Sequence, residues 1–281
     1  MKTFSMSPGE EKKRLIECPV CGYPESSPRW SGSMGFVTCG RCGLVYQNPQ
    51  PMLEDLAQRY DDEYFEYERE NEENFFSLML MGLEDIGFPE LAGDLPRSFL
   101  DVGCATGKLI AHVKELGFSE QGVEICAPSA RYGIEKRGVS IFIGTLEEAA
   151  FRDESFGVVH CSHLIEHLTD PAAFVDEVRR ILVPGGIFLV TTPDIQGMQA
   201  RLFGEGWRSA IHDHMVLFSR TTLRRLLEDK GFSVEKRRSW GGLAVGTAPA
   251  PLKRIADRAC KFLNQGDVMI LLARKPLSGE G

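Results

Sequence analysis

From residue 97 onward, short apolar runs alternate with longer amphipathic stretches. Ser98–Val102, Gln121–Ile125, Val139–Ile143, Phe156–Cys161 and Ile187–Thr191 have the length and apolarity of buried strands. Thr106–Leu116, Pro128–Arg137 and Pro171–Leu182 fall between them with helical spacing, and Pro128 suits a first helical turn. Pro184-Gly185-Gly186 stops the third of these helices. Thr221–Lys230 reads as a helix ended by Gly231. Val234–Trp240 and Val268–Ala273 form a last strand pair around an inserted helix, Pro251–Leu263. Strands alternating with helices predict an α/β fold with a parallel, doubly wound sheet and antiparallel pairing at its end.

The first third follows other rules. Residues 51–95 read as helices that start aromatic and acidic (Tyr60, Tyr64, Phe65, Tyr67) and turn apolar from Phe75 to Ile86. Residues 16–50 are rich in Gly and Pro and carry two Cys-x-x-Cys-Gly turns, Cys18–Gly22 and Cys39–Gly43, with 17 residues between Cys21 and Cys39. Each turn aims two thiolates at one point, and the glycine after it permits the unusual dihedrals. Trp30, Phe36 and Val37 are too little for a core without metal. The spacing predicts a closed tetrahedral zinc ribbon on Cys18, Cys21, Cys39 and Cys42. Iron in the same cage is the alternative, and a redox role lacks a thioredoxin-like surrounding. The division expected is a zinc-ribbon module over 1–50, a helical linker or lid over 51–95, and a catalytic domain over 96–281.

Composition narrows the setting. The chain has 281 residues, 43% hydrophobic and 26% charged, with net charge -8. Residues 1–15 hold no signal-peptide core, and no stretch is long and apolar enough for a membrane span, so a cytoplasmic location is expected. Net acidity argues against a nucleic-acid partner, which needs surplus Lys and Arg on one face. The acidic run Glu54–Glu73 reads as a solvated helical face. Cys104, Cys126, Cys161 and Cys260 are scattered, and three of them lie in or beside strands as small buried residues.

Asp101-Val102-Gly103-Cys104-Ala105-Thr106-Gly107 follows a strand and opens a helix. Small residues at 103, 105 and 107 admit a ligand to the backbone, and the helix amino terminus offers free N–H groups. Glu124 ends the next strand, where an acid accepts both ribose hydroxyls. Taken alone the loop also suits NAD or plain strand-to-helix packing, although it lacks the G-x-G-x-x-G spacing. The order from Phe99 to Asp194, with Gly122-Val123-Glu124-Ile125, Ile165-Glu166-His167-Leu168 and Pro184-Gly185-Gly186, resembles the class I S-adenosylmethionine-dependent methyltransferases. The N-terminal Cys39–Pro49 and Tyr60–Phe65 stretches resemble a ribbon fused to such domains in bacterial enzymes acting on sugars, lipids and other small metabolites.

The resemblance implies a Rossmann-like seven-stranded sheet. Asp101, Gly103, Ala105 and Gly107 would cradle the methionine part of the cofactor and Glu124 its ribose. Ile125 would pack on the adenine, with Thr145, Leu146 and Glu147 at its edge. Ser162 and His163 would lie beneath the methionine and the reactive methyl. The aromatic helix would lie over the cofactor as a lid, with an anchor for the ribbon as the alternative. Gly157 stands where the family often has Asp, which implies local loosening.

Methyl transfer from a sulfonium needs alignment above all, and a base where the acceptor keeps its proton. His167 is the candidate base or acceptor contact, since its unperturbed pKa suits the task. His214, in His212-Asp213-His214, falls on the family's recurring His and is the second candidate. A metal on that cluster and a pocket wall at Trp207 stay open. The expected activity is S-adenosylmethionine-dependent methylation of a small-molecule acceptor. RNA methylation docked by the ribbon and a non-catalytic cofactor-binding protein are the alternatives.

Overall fold

The computed structural model describes residues 13–32, 34–51, 62–243, 249–277 and 279. Tyr60 and most of residues 1–15 lie outside the described residues.

The main sheet has seven strands. β6 (Ser98–Val102), β7 (Ser119–Glu124), β8 (Ile141–Ile143), β9 (Phe156–Ser162) and β10 (Leu182–Pro193) run parallel, in the spatial order β10-β9-β6-β7-β8. β13 (Val268–Arg274) pairs antiparallel with β10, and β12 (Ser233–Trp240) antiparallel with β13. The expected parallel sheet with an antiparallel close is therefore present. Its helices are α2 (Lys108–Glu115), α3 (Ala127–Arg137), α4 (Pro171–Ile181), α6 (Arg220–Asp229) and α7 (Ala250–Phe262). A short helix, α5 (Met198–Phe203), was not foreseen.

Parallel strands are buried on both faces, and successive side chains of each strand serve opposite cores. Leu100, Val102, Val159, Cys161, Phe188 and Val190 pack with Phe174, Val178 and Leu223 of α4 and α6. Phe99, Val158, Ile187 and Leu189 pack with Leu109, Ile110 and Val113 of α2. The Pro-Gly-Gly turn is an irregularity inside β10, whose register with β9 shifts between Leu182 and Ile187. Gly157 contradicts the loosening expected from its sequence. A Cβ there would lie 2.1 Å from the Pro96 carbonyl oxygen, so the strand and the preceding segment touch backbone to backbone. An aspartate at this position would have to push them apart, which overpacks the core.

Ahead of the sheet, α1 (Asp62–Ile86) seats Leu83 and Ile86 in the core of α2 and lays Gly82 on Trp240. A Cβ on Gly82 would come within 2.8 Å of that ring.

Among the first described residues, β2 (Ser26–Pro28), β3 (Phe36–Cys39) and β4 (Val45–Gln47) form an antiparallel sheet. β1 (Lys13–Arg14) pairs with β5 (Gln50–Pro51). The small sheet is completed by β11 (Val216–Leu217), which comes from the region after β10. Cys18, Cys39, Leu44 and Tyr46 share the core of α4 and α6, and Phe36 and Val45 pack with the buried Trp207. The cysteine-bearing segment is thus continuous with the large sheet in the first of these cores, and in the second it packs on residues 195–217 that follow β10. Trp207 is a core residue, 1% exposed, with Nε1 donating to Asp267 at 2.5 Å.

Candidate active site

The carboxyl end of β6 turns into α2 through the 103–107 loop. Gly103, Ala105 and Gly107 all have positive φ (74°, 50° and 71°). Only glycine takes such angles without cost, so Ala105 holds a strained position of the kind found at functional sites. Asp101 is turned away from the loop into the sheet, where Oδ1 lies 2.7 Å from Nδ1 of the buried His160. Gly107 approaches protein, since a Cβ there would meet Val139 at 2.9 Å. Glu124, at the end of β7, accepts from Ala105 N (2.9 Å) and Cys126 N (2.7 Å). A carboxylate offers about four lone-pair sites, so two remain for a pair of ribose hydroxyls. Ile125 is 41% exposed beside it, as a platform for a flat ring requires. Thr145 and Glu148 cap one another, Leu146 is buried, and Glu147 is exposed. The residues present fit a nucleoside carrying an amino-acid arm.

The amino-terminal half of α1 lies across this loop. Glu72 accepts from Thr106 Oγ1 and pairs with Arg137 at 2.6 Å, and Arg137 also donates to the Thr106 carbonyl at 2.9 Å. Lys108 pairs with Glu73, and Phe65 meets Tyr132 of α3 at 5.7 Å between ring centres. The acidic run is therefore not a solvated face throughout. Glu68 is buried, accepts from Ser129 Oγ and faces Glu124. Spacing of 68 and 72 by one helical turn was the available signal, hidden by the density of acids around it.

Burial, followed by the charge of Glu124, raises the Glu68 carboxyl to about 8. Between the ordinary carboxylate range and pH 8, the folded chain holds a proton that the unfolded chain releases. Stability therefore falls as pH rises through that window. Glu68→Gln keeps the shape and removes the titration. We expect similar melting points for wild type and variant at pH 5, and a higher one for the variant at pH 8.5. At about 1.4 kcal/mol per pH unit the gap amounts to a few kcal/mol. Parallel melting curves at both pH values would refute this.

The other half of the carboxyl edge gathers four titratable groups. His163 follows β9 with φ of 53°, held by its N–H on the Thr191 carbonyl (2.9 Å). Its Nδ1 lies 3.0 Å from Glu166, and Thr192 Oγ1 donates to the other Glu166 oxygen at 2.8 Å. His167 Nδ1 lies 2.9 Å from the Asp213 carbonyl, and His214 Nδ1 2.8 Å from the Ser209 carbonyl. A carbonyl only accepts, so both rings carry hydrogen on Nδ1, and in the neutral tautomer the lone pair falls on Nε2. The rings meet edge to face, 4.7 Å apart. Burial would raise the Glu166 carboxyl, but the His163 hydrogen bond and the neighbouring imidazoles bring it down to about 2. Burial, with His167 second, pushes His214 down to about 3. Near pH 7 the edge thus holds an ionised carboxylate and a neutral, buried imidazole. His212 is exposed, and among the described residues the grouping is Glu166, His167 and His214 rather than the His-Asp-His tripeptide.

The cysteine segment fastens this edge. Gln47 N donates to the Met215 carbonyl (2.9 Å), and Gln47 Nε2 reaches the carbonyls of His212 (2.8 Å) and His214 (2.9 Å). Met215 N in turn donates to the Glu166 carbonyl at 2.8 Å. Nothing in the sequence singled out Gln47. In the turns themselves, Gly22 and Gly43 have φ of 65° and 76°, as the spacing requires. Cys18 and Cys42 sulfurs lie 3.5 Å apart, and Cys21 and Cys39 sulfurs 3.6 Å. A tetrahedron of ~2.3 Å metal–sulfur bonds has edges of about 3.8 Å, so the four thiols fit one ion. The contact between Cys18 and Cys42 lowers the Cys42 thiol, while the same contact and burial raise Cys18.

A cavity of about 880 Å³ lies at the opposite end of the sheet, lined by charged groups such as Asp153, Asp176, Arg180 and Lys230. It contains none of the candidate residues, and its lining is already paired, Arg180 with Asp153 and Lys230 with Asp176. Chemistry belongs at the carboxyl edge, where open α/β sheets bind ligands.

Sheet order, glycine loop and acid-tipped second strand define the class as S-adenosylmethionine-dependent methyltransferase domains. Residues 76–237, more than half of the chain, match the family described as "Methyltransferase domain", and the chain belongs to it. A probable S-adenosylmethionine-dependent methyltransferase of Mycolicibacterium smegmatis is 36% identical over 145 residues, 50% of this chain and 53% of that protein. A ubiquinone biosynthesis O-methyltransferase of Cereibacter sphaeroides is 34% identical over 111 residues, 37% of this chain and 45% of that protein. The chain spans about half the length of these relatives. A methyltransferase structure from Archaeoglobus fulgidus superposes with TM-score 0.56 at 21% identity, over 76% of this chain and all of that one, and shares the fold.

Proposed function

We propose that this chain transfers the methyl group of S-adenosylmethionine to a small-molecule acceptor, and that Cys18, Cys21, Cys39 and Cys42 hold a structural zinc. The proposed parts are a zinc module over 1–50, a lid over 51–95 and the catalytic domain beyond. The observation that carries the small-molecule reading is the edge itself: α1 roofs the cofactor loop, and the 209–215 loop, fastened by Gln47, walls the histidine side. Relatives with small-molecule names, among them an ajmaline N-methyltransferase of Rauvolfia serpentina, agree with it.

The bound cofactor supplies an electrophilic methyl on a sulfonium. The backbone of Gly103, Ala105 and Gly107 receives its methionine arm, with Asp101 holding the loop through His160. Glu124 takes the ribose hydroxyls. Ile125, Thr145, Leu146 and Glu147 border the adenine, and the protonated Glu68 beside Glu124 has a proton to donate there. Ser162 and His163 would lie beneath the methyl. His167 and His214 face the acceptor, with His167 the more open of the two.

The test is a label-transfer screen. Purified protein and methyl-labelled S-adenosylmethionine are incubated with RNA, protein, lipid and small-metabolite fractions of a depleted lysate. Label is expected in the metabolite or lipid fraction. Label in RNA or protein alone would overturn the reading and make the cysteine module a macromolecular dock.

A further inference from the structure

Glu166, His167 and His214 bring three metal-binding atoms within 4.8 Å of one another. We propose that this trio is a second metal site, distinct from the cysteine cage, which binds one divalent cation and leaves coordination positions open toward the acceptor.

Three observations converge on it. First, both histidines are oriented as ligands are. Each Nδ1–H is spent on a backbone carbonyl, Asp213 for His167 and Ser209 for His214. Their Nε2 atoms have no hydrogen-bond partner among the described residues. In metal sites the outer hydrogen bond of this kind fixes the tautomer and aims the other nitrogen at the ion. Second, Glu166 is 1% exposed, and each of its oxygens already takes one hydrogen bond, from Thr192 and on the side of His163. Those bonds hold the carboxylate in place and leave a lone pair on each oxygen. A carboxylate this deeply buried calls for a cationic partner. Third, the trio is clamped across the chain. Met215 N on the Glu166 carbonyl ties the 213–215 loop to the 165–167 turn, and Gln47 ties the same loop to β4. The left-handed backbone of His163 places its ring on Glu166 at the start of this turn.

Ligand atoms on a common ion, each at ~2.1 Å, lie roughly 3.0–3.4 Å apart, so modest side-chain rotations close the cage. Two imidazoles and one carboxylate suit zinc, iron, cobalt or manganese in the +2 state, with open positions left over. An acceptor oxygen entering one of them would be held beside the cofactor loop, and its hydroxyl would ionise more easily. The proposal rests on the acceptor-edge reading above, and it assigns His167 as a ligand.

The probe is Mn²⁺, which thiolates disfavour, added to full-length protein carrying one zinc per chain. Free Mn²⁺ is followed by its paramagnetic resonance signal. One Mn²⁺ per chain is expected, with a dissociation constant below about 100 μM, a gain of roughly 5 kcal/mol. Glu166→Gln and His167→Asn should each weaken uptake at least tenfold, with unchanged circular dichroism as the folding control. His167 is the less buried ligand, so its variant keeps the test valid if Glu166→Gln misfolds. No uptake by the wild type at millimolar Mn²⁺ would overturn the site, as would equal uptake by wild type and folded variants. Uptake needs neither cofactor nor acceptor. A negative result here therefore leaves methyl transfer standing, and absence of methyl transfer leaves the metal site standing.

Discussion

Gly103→Arg is expected to raise the dissociation constant for S-adenosylmethionine at least 100-fold, a loss of roughly 2.7 kcal/mol. Gly103 sits at φ of 74°, and its N–H donates to the Val123 carbonyl at 2.8 Å. A Cβ added there has ordinary contact with Leu164, at 3.4 Å. Alanine therefore fits in space and suffers only the left-handed backbone, at about 1–2 kcal/mol of stability. Arginine adds a long chain across the surface on which the methionine arm would lie. The pair separates two causes. Gly103→Ala should melt lower yet bind within about tenfold of wild type, whereas Gly103→Arg should retain fold and lose binding. Calorimetric titration with the cofactor, set beside melting curves, measures both. Binding of Gly103→Arg within threefold of wild type would remove the loop from the cofactor site.

What the sequence made legible was whatever local pattern controls. Strand and helix periods recovered the large sheet, because strands buried on both faces must be apolar throughout and turns must carry glycine or proline. The cysteine turns were legible because two short motifs fix four sulfurs. What stayed hidden depended on long-range contact. Glu68 and Glu72 are ordinary acids on a helix, and only the packing of α1 over the 103–107 loop buries one and pairs the other. Gly157 read as a lost aspartate, and only the approach of Pro96 shows why no side chain fits. His167 and His214 were each visible as candidates. Their partnership with Glu166 was not, because 46 residues lie between the two histidines and the carbonyls that orient their rings carry no sequence signature. Asp101 matched a motif position but serves it indirectly, through His160 in the neighbouring strand β9.

Removing the proposed zinc is expected to abolish methyl transfer while sparing cofactor binding. The damage is expected to reach beyond the cysteine segment to one side of the active site. Cys18, Cys39, Leu44 and Tyr46 share a core with α4 and α6, and Phe36 and Val45 wall Trp207. β4 pairs with β11, and Gln47 carries the backbone of residues 212–215. Without a cation, the four thiols must bind protons and hydrogen-bond among themselves, and the folding free energy that metal binding contributes is lost. The 209–218 loop then has no partner on its outer side, and His214 and the Asp213 carbonyl move away from Glu166 and His167. The cofactor loop, by contrast, hangs on β6, β7 and α1, none of which pairs with β2, β3 or β4. After chelation, or in Cys39→Ser, label transfer should fall at least 50-fold, a rise in barrier of roughly 2.3 kcal/mol. Cofactor affinity should stay within about threefold. Hydrogen exchange gives a readout independent of activity. The amides of Gln47 and Met215, bonded to the Met215 and Glu166 carbonyls, should lose protection at least 100-fold, and those of Val158–Cys161 should keep theirs. Unchanged exchange at Gln47 and Met215 after verified metal loss would show that the module stands without its ion. Equal loss in both sets would show a single cooperative unit, with no separate effect on the acceptor edge.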